Sequence, residues 1–168
     1  MLFLLDANVL IDADRDYYPL DRVPEFWDWL QYQGEIGAVK LPVEIYEEIT
    51  EGEGDLVNWL ERPEVRSALV LDEESEAAHV STVIANGYAP DLTDDELQRV
   101  GRDPFLVAYA AAAAGQRCVV TTETSKPSKQ RANRHVPDVC VANGVPYCNT
   151  FEFTRRLDFS TRWRRPAA

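Results

Sequence analysis

Hydrophobic and polar positions along this 168-residue chain fall into blocks that read in turn as strands and helices. The apolar run at residues 2–5 stops abruptly at Asp6, with Asn8 two residues on; a run of that length between polar residues predicts a buried strand over 2–6. Val9, Leu10 and Ile11 start a short helix that Tyr17-Tyr18-Pro19 breaks. Residues 24–33 predict a helix, with Pro24 at its first position, Phe26, Trp27 and Leu30 on one face, and Gly34 and Gly37 at its end. Two more helices are predicted over 42–50 and 55–61, separated by Gly52 and Gly54. The run Ala68-Leu69-Val70-Leu71 reads as a second strand, and 74–85 as a helix stopped by Asn86-Gly87. Thr93 and Glu96 form a capping-box pattern at the start of a helix over 93–100. An alanine-rich helix over 104–114, thin enough to pack closely on a sheet, leads to a third strand over 117–121. After a polar, basic loop come a short helix over 137–142, a fourth strand over 145–148 and a last helix over 150–157.

Strands alternating with helices imply an α/β fold: one domain over 1–160, with a central, mostly parallel sheet of four to five strands flanked by helices on both faces. Residues 161–168 read as a loose C-terminal tail. Trp27 and Trp29 are two positions apart on one helix, so Trp27 is expected inside and Trp29 partly exposed. An exposed Trp29 would also suit a groove for a partner peptide or a second subunit.

Composition adds three constraints. No apolar stretch approaches the roughly 20 residues of a membrane span, and the first strand starts at residue 2 without a basic leader, so neither a membrane anchor nor a secretory signal is expected. The cysteines are Cys118, Cys140 and Cys148, odd in number and without a CxxC pair, which fits a reducing, cytoplasmic setting better than a disulfide framework. The net charge of −12 is unevenly spread: residues 1–116 carry 7 Lys/Arg against 25 Asp/Glu, whereas 117–168 carry 10 against 4. Such asymmetry is a hint of polyanion contact by the basic part, although a solvated acidic face with a basic tail accounts for the same numbers.

Four acids sit where elements begin or end: Asp6, Glu44, Asp103 and Glu123. Helices that follow parallel strands begin at the sheet's C-terminal edge, where ligands collect, so all four are candidates for one rim. Each has a plainer role available. Asp103 is placed to cap a helix before Pro104, Glu44 to complement a helix dipole, Asp6 to cap, and Glu123 to be one more loop acid. Clustered carboxylates persist mainly where cations compensate them, and oxygen donors without His or Cys point to Mg²⁺ or Mn²⁺. His135, Asp138 and Cys140 lack the fourth ligand and the spacing of a zinc site.

The residues 5–11 (Leu-Asp-Ala-Asn-Val-Leu-Ile), Val43-Glu44-Ile45, 103–108 (Asp-Pro-Phe-Leu-Val-Ala) and Val120-Thr121-Thr122-Glu123 resemble the PIN-domain ribonucleases, the family of VapC-like toxins. With Tyr17-Tyr18-Pro19, the tryptophan-rich stretch 22–30 and 136–140, the chain is more narrowly similar to a PIN-like subgroup catalogued as a domain of unknown function. The resemblance implies Asp6, Glu44 and Asp103 as the first three acids of the site. The fourth is Glu123, where the family more often has Asp, or its rival Asp138. It also implies Asn8 and Thr121 or Thr122 as hydrogen-bonding supports. The implied activity is hydrolysis of RNA phosphodiesters by one or two divalent ions, in the toxin of a bacterial toxin–antitoxin pair. An antitoxin partner and a homodimer follow as expectations.

On the substrate side, the loop 125–135 carries Lys126, Lys129, Arg131 and Arg134 and no acid, a counterweight that RNA phosphates would need beside an acidic site. Arg155, Arg156, Arg162, Arg164 and Arg165 could extend it. Two other readings compete: a catalytically weak PIN-like scaffold that binds RNA or a protein partner, and an aspartyl phosphotransferase using Asp6. The latter is disfavoured because that chemistry wants a second Asp where Asn8 stands.

Overall fold

A computed structural model describes residues 1–166. The opening run forms β1 (Leu2–Leu5), followed by α1 (Ala7–Asp12), a π-helical turn at Ala13–Tyr17 and α2 (Pro24–Glu35). Then come β2 (Val39–Lys40), α3 (Val43–Thr50), α4 (Asp55–Leu60), α5 (Pro63–Leu69) and α6 (Ala77–Gly87). The remaining elements are α7 (Asp94–Val100), α8 (Asp103–Ala111), β3 (Arg117–Val120), α9 (Val136–Ala142), β4 (Tyr147–Cys148) and α10 (Thr150–Arg156). The capping box expected at Thr93 and Glu96 is formed.

The strands make one all-parallel sheet in the order β2-β1-β3-β4. The chain therefore steps from β1 to one side, crosses back over it to β3, and continues outward to β4. Right-handed crossovers that run in opposite directions place their helices on opposite faces. The gap between β1 and β3 is the switch point, with its crevice at the carboxyl ends of the strands. On one face, Phe3 meets Phe153 of α10 at 5.4 Å and Phe153 meets Trp29 of α2 at 5.6 Å between ring centroids. On the other, α8 packs across β1 and β3, with α6 against both α8 and α9.

Three expectations need correction. The strand expected at 68–71 is not one: Ala68 and Leu69 close α5, which Pro63 opens, and the run meets the edge beyond β2 through an isolated parallel bridge, in which the Leu41 N–H donates to the Leu69 carbonyl and the Leu71 N–H to the Leu41 carbonyl. The neighbour of β1 on that side is β2, two residues long. A short buried run is apolar whether it is a strand or the last turn of a helix, so the pattern alone misleads. Trp29, expected partly exposed, is fully buried, because Phe153 and Phe159 cover it while Trp27 faces Trp59 of α4. A docking groove built on an exposed tryptophan loses its basis. Finally, the stretch expected as a loose tail is anchored as far as Arg165. Trp163 stacks near Tyr32, and Arg165 pairs with Glu35 of α2. Residues 167–168 lie outside the described residues. None of the described helices is long and apolar enough to cross a membrane.

The pairing of α2 with α5 depends on Gly34. A Cβ there would stand 2.7 Å from the Ala68 carbonyl oxygen and from Leu69 Cδ2. Gly34→Ala is expected to lower stability by about 1–3 kcal/mol through overpacking, read as a fall in midpoint with unchanged m-value in urea unfolding.

Candidate functional site

Asp6 extends from the end of β1 and Thr121 from the end of β3. Across the switch point, Thr121 Oγ1 donates to Asp6 Oδ2 at 2.7 Å, and both residues are buried. The backbone N–H of Glu123 donates back to Thr121 Oγ1 at 3.2 Å, so the turn after β3 brings Glu123 to the same rim. Glu123 Oε2 accepts the N–H of Val136, at the start of α9, at 2.7 Å. Asp103 is placed by its neighbour. Arg102 Nη1 donates to the Glu44 carbonyl oxygen at 2.6 Å, and the same guanidinium pairs with Glu51 and lies 3.6 Å from Glu47. This clamp fixes the start of α8 against α3.

Neither buried acid fills the plainer role open to it. Asp6 stands at the N-cap of α1 without a side-chain capping bond. The N-cap of α8 is Arg102, which leaves Asp103 at the first helical position. Their electrostatics are those of crowded, desolvated carboxyls. Burial raises Asp6 from 3.8 to about 6 against the Thr121 hydrogen bond, with the charges of Glu123 and Glu48 adding to the rise. Burial, then the charges of Asp6, Glu123 and Glu48, raise Asp103 to about 8. Glu48 is itself raised by burial, with Arg102 opposing. Asp6, Asp103, Glu123 and Glu48 thus share one field.

Glu44, expected as the second acid, is turned elsewhere. Its Oε1 accepts from Ser75 Oγ at 3.1 Å and from the Tyr109 hydroxyl at 3.5 Å, while its Oε2 is buried without a partner. The acid of α3 that acts on Asp6 and Asp103 is Glu48, one turn further on and more open to solvent. Sequence reasoning missed it. Positions i and i+4 share a helix face, which was legible, but which turn reaches the rim is set by the Arg102 clamp. Of the two candidates for the fourth acid, Glu123 shares the field of Asp6 and Asp103. Asp138 instead pins the basic loop, accepting from Ser125 Oγ at 2.6 Å and from the Lys126 N–H at 2.8 Å. Burial alone would push Asp138 up, but these bonds together with Arg134 and His135 hold it below the usual carboxylate range.

Thr121 is the support expected of it. Thr122 is partly buried and Asn8 exposed, and neither side chain makes a hydrogen bond among the described residues. The basic residues divide in two. Arg131 forks onto Glu96 at 2.7 and 2.8 Å and reaches Asp91 at 2.8 Å, and Arg134 donates to the carbonyls of Gly87 and Asp138. Both are internal anchors of the loop. Lys126 and Lys129 are exposed and make no ion pair among the described residues.

The donor set is carboxylate and hydroxyl oxygen, the chemistry that suits a hard divalent cation. Among the described residues no three His, Cys, Asp or Glu side chains are close enough to hold a metal ion as they stand.

Fold and rim together define an α/β protein with an all-parallel sheet and carboxylates gathered at its switch point. The chain belongs to the family described as a domain of unknown function, DUF4411, which it matches over residues 3–161. No curated protein and no solved structure matches it.

The raised carboxyls make stability depend on pH. Their native values lie above 3.8, so the folded state binds more protons than the unfolded one over the interval up to about 8. The stability they contribute is complete at low pH and is lost as pH rises through about 6 for Asp6 and about 8 for Asp103. Urea unfolding in EDTA is expected to show stability falling from pH 5 to pH 8.5, by up to about 1.4 kcal/mol per pH unit for each titrating carboxyl. Asp103→Asn should remove the part of that slope above pH 6 and leave the protein more stable than wild type at pH 8. A flat wild-type profile contradicts the picture.

Proposed function

We propose that this protein is a divalent-metal-dependent endoribonuclease. The observation that carries the reading is the set Asp6, Asp103, Glu123 and Glu48 at the β1/β3 switch point, with Asp6 and Asp103 both raised, first by burial and then by neighbouring acids of the set. Those four would hold Mg²⁺ or Mn²⁺, with Thr121 fixing Asp6. The chemistry a divalent ion held there would supply is a lowered pKa of bound water and neutralisation of charge on the phosphate and leaving oxygen. Asp103, raised to about 8 mainly by burial, would give up its proton to serve as a ligand, whereas Asp6, raised only to about 6, is already largely ionised near neutral pH. Lys126 and Lys129 provide the exposed positive charge that phosphates of the RNA approach. The resemblance to PIN-domain ribonucleases supports the same reading and extends it to the toxin of a toxin–antitoxin pair in the cytoplasm, with an antitoxin as partner and a homodimer as the assembly.

A second reading is a scaffold that binds RNA or a protein without efficient cleavage. It is favoured by Glu44 being turned to Ser75 and Tyr109, and by the lack of a preformed group of three ligands among the described residues.

Cleavage of a panel of structured RNAs separates the two. In Mn²⁺, wild type should cut, and EDTA, Asp6→Asn and Asp103→Asn should each reduce the rate by about 100-fold or more, on the order of several kcal/mol of transition-state stabilisation. Glu48→Gln should cost more than Glu44→Gln. Cleavage that survives EDTA or both Asn variants refutes the nuclease mechanism, and tight binding without cleavage selects the scaffold. For the loop, replacing Lys126 and Lys129 with Ala should weaken RNA binding and reduce the slope of log affinity against log salt by roughly 1 to 2. An unchanged slope removes both lysines from the RNA path.

A further inference from the structure

We propose that the exposed rings of Tyr17 and Phe151 form a stacking platform for unpaired bases, so that single-stranded RNA is the class of strand this protein engages. The inference rests on the reading of the protein as one that acts on RNA, and names the form of RNA it takes.

Tyr17 and Phe151 come from distant parts of the sequence, yet their rings meet edge to face with centroids 5.8 Å apart. Each stays about half exposed, at 51% and 52%. Exposed apolar residues scattered singly need no explanation; two aromatic rings brought into contact and still open to solvent make a surface. Both are held from behind. Tyr17 ends the π-helical turn, in which the Tyr18 N–H donates to the Ala13 carbonyl at 2.6 Å. Tyr18 stacks on Phe26 at 4.3 Å and meets Phe159, while Tyr17 stands outside that aromatic layer. Such π-turns recur at functional sites. On α10, Asn149 Oδ1 accepts the Glu152 N–H at 2.9 Å and fixes the first turn, which carries Phe151. Rigid rings offer contact area at little entropic cost.

The path of the chain sets this pair beside the rim. Cys148 ends β4, and its carbonyl accepts the N–H of Thr121, the residue that holds Asp6, at 3.2 Å. Phe151 follows three residues later, so its Cα lies within about 11 Å of that of Cys148. Charge selects the occupant. Arg155 stands at i+4 from Phe151, on the same face of α10. Arg155 and Arg156 are exposed and make no ion pair among the described residues. The acids beside Tyr17 are already engaged, Asp12 and Asp16 both pairing with Arg15. Aromatic rings with unpaired arginines a turn away suit a single strand, whose bases stack while its phosphates meet the cations. A duplex keeps its bases stacked inside and presents no free face to either ring. The arginines favour this polyanion over an apolar protein surface as the occupant.

The test uses the full chain with Asp103→Asn as the parent, so that no strand is cut. Fluorescence anisotropy in Mg²⁺ reads its affinity for an unstructured RNA oligonucleotide and for a duplex of the same sequence. The parent should prefer the single strand by about tenfold or more. Tyr17→Ala and Phe151→Ala should each weaken single-strand binding by about 5-fold or more without changing its salt dependence. Phe151→Trp should keep the affinity and Phe151→Leu should lose it, because a π-face rather than apolar area is what binds. Arg155→Ala should instead reduce the slope of log affinity against log salt by roughly 0.7. Parent affinity in both Ala variants, or in Phe151→Leu, overturns the platform and leaves the RNA reading standing, as does a duplex bound as tightly as the single strand. A parent dimer that Phe151→Ala converts to monomer in sedimentation assigns the face to a second copy of the chain and also overturns it. A parent that binds neither RNA overturns the RNA reading and this inference together.

Discussion

The hydrogen bond from Thr121 to Asp6 ties together the ends of β1 and β3 at the place where the sheet reverses its direction of growth, and through Thr121 Oγ1 it also brings Glu123 to the same rim. One such bond does not offset the burial of a carboxylate with like charges around it, which is why Asp6 is still raised to about 6. Among the described residues the Asp103 side chain has no hydrogen-bonding partner, and it rises further, to about 8. A chain selected for stability alone would place Asn or an apolar residue at either position. Retaining two destabilising acids at a switch point is the pattern of a site whose function is exercised at the expense of the fold.

Rigid elements keep those acids in place. Asp6 leaves a strand whose last three residues are buried, between an aromatic layer on one face and α8 on the other. Asp103 begins α8, in which Pro104 and every residue from Leu106 to Ala110 are buried, and Arg102 locks that beginning to α3. Only Glu123 comes from a loop, and that loop is ordered from within. Asp138 caps its start, Arg134 ties it to the end of α6, and Arg131 holds a left-handed backbone (φ 52°) against the pull of its fork on Glu96 and Asp91. The turn and loop that carry Glu123 are therefore fixed by side-chain hydrogen bonds and the ion pairs of Arg131 rather than by strand register.

What the sequence disclosed follows the same division. β1, α2, α3, α7 and the parallel sheet were legible because period, proline and capping signals agreed there. The two-residue β2 was not, since nothing in Val39-Lys40 distinguishes it from a loop. Its place was given to the apolar run at 68–71, which is buried for a different reason, as the end of α5 against α2. In the site, Asp6, Thr121 and Asp103 were found because each sits at a boundary that local chemistry marks. Glu48 was not. It is chosen over Glu44 by a clamp between residues far apart in the chain. Side chains placed by tertiary contact leave no local signal.

The charge asymmetry also changes meaning once the residues are placed. Residues 117–168 carry an excess of six positive charges, but Arg131, Arg134 and Arg165 are engaged within the fold, the first and last by acids from the N-terminal part. Much of the basic excess thus goes to holding the loop and the C-terminal stretch onto an acidic body. In the loop after Glu123, Lys126 and Lys129 remain as exposed cations, while the rim itself gathers four acids. On the proposed reading, an approaching polyanion meets a repulsive rim that two lysines alone do not neutralise, and binding of the divalent cation must come before productive binding of RNA. The cation would then have two tasks in sequence, first to reverse the sign of the field at the switch point and only afterwards to assist the reaction.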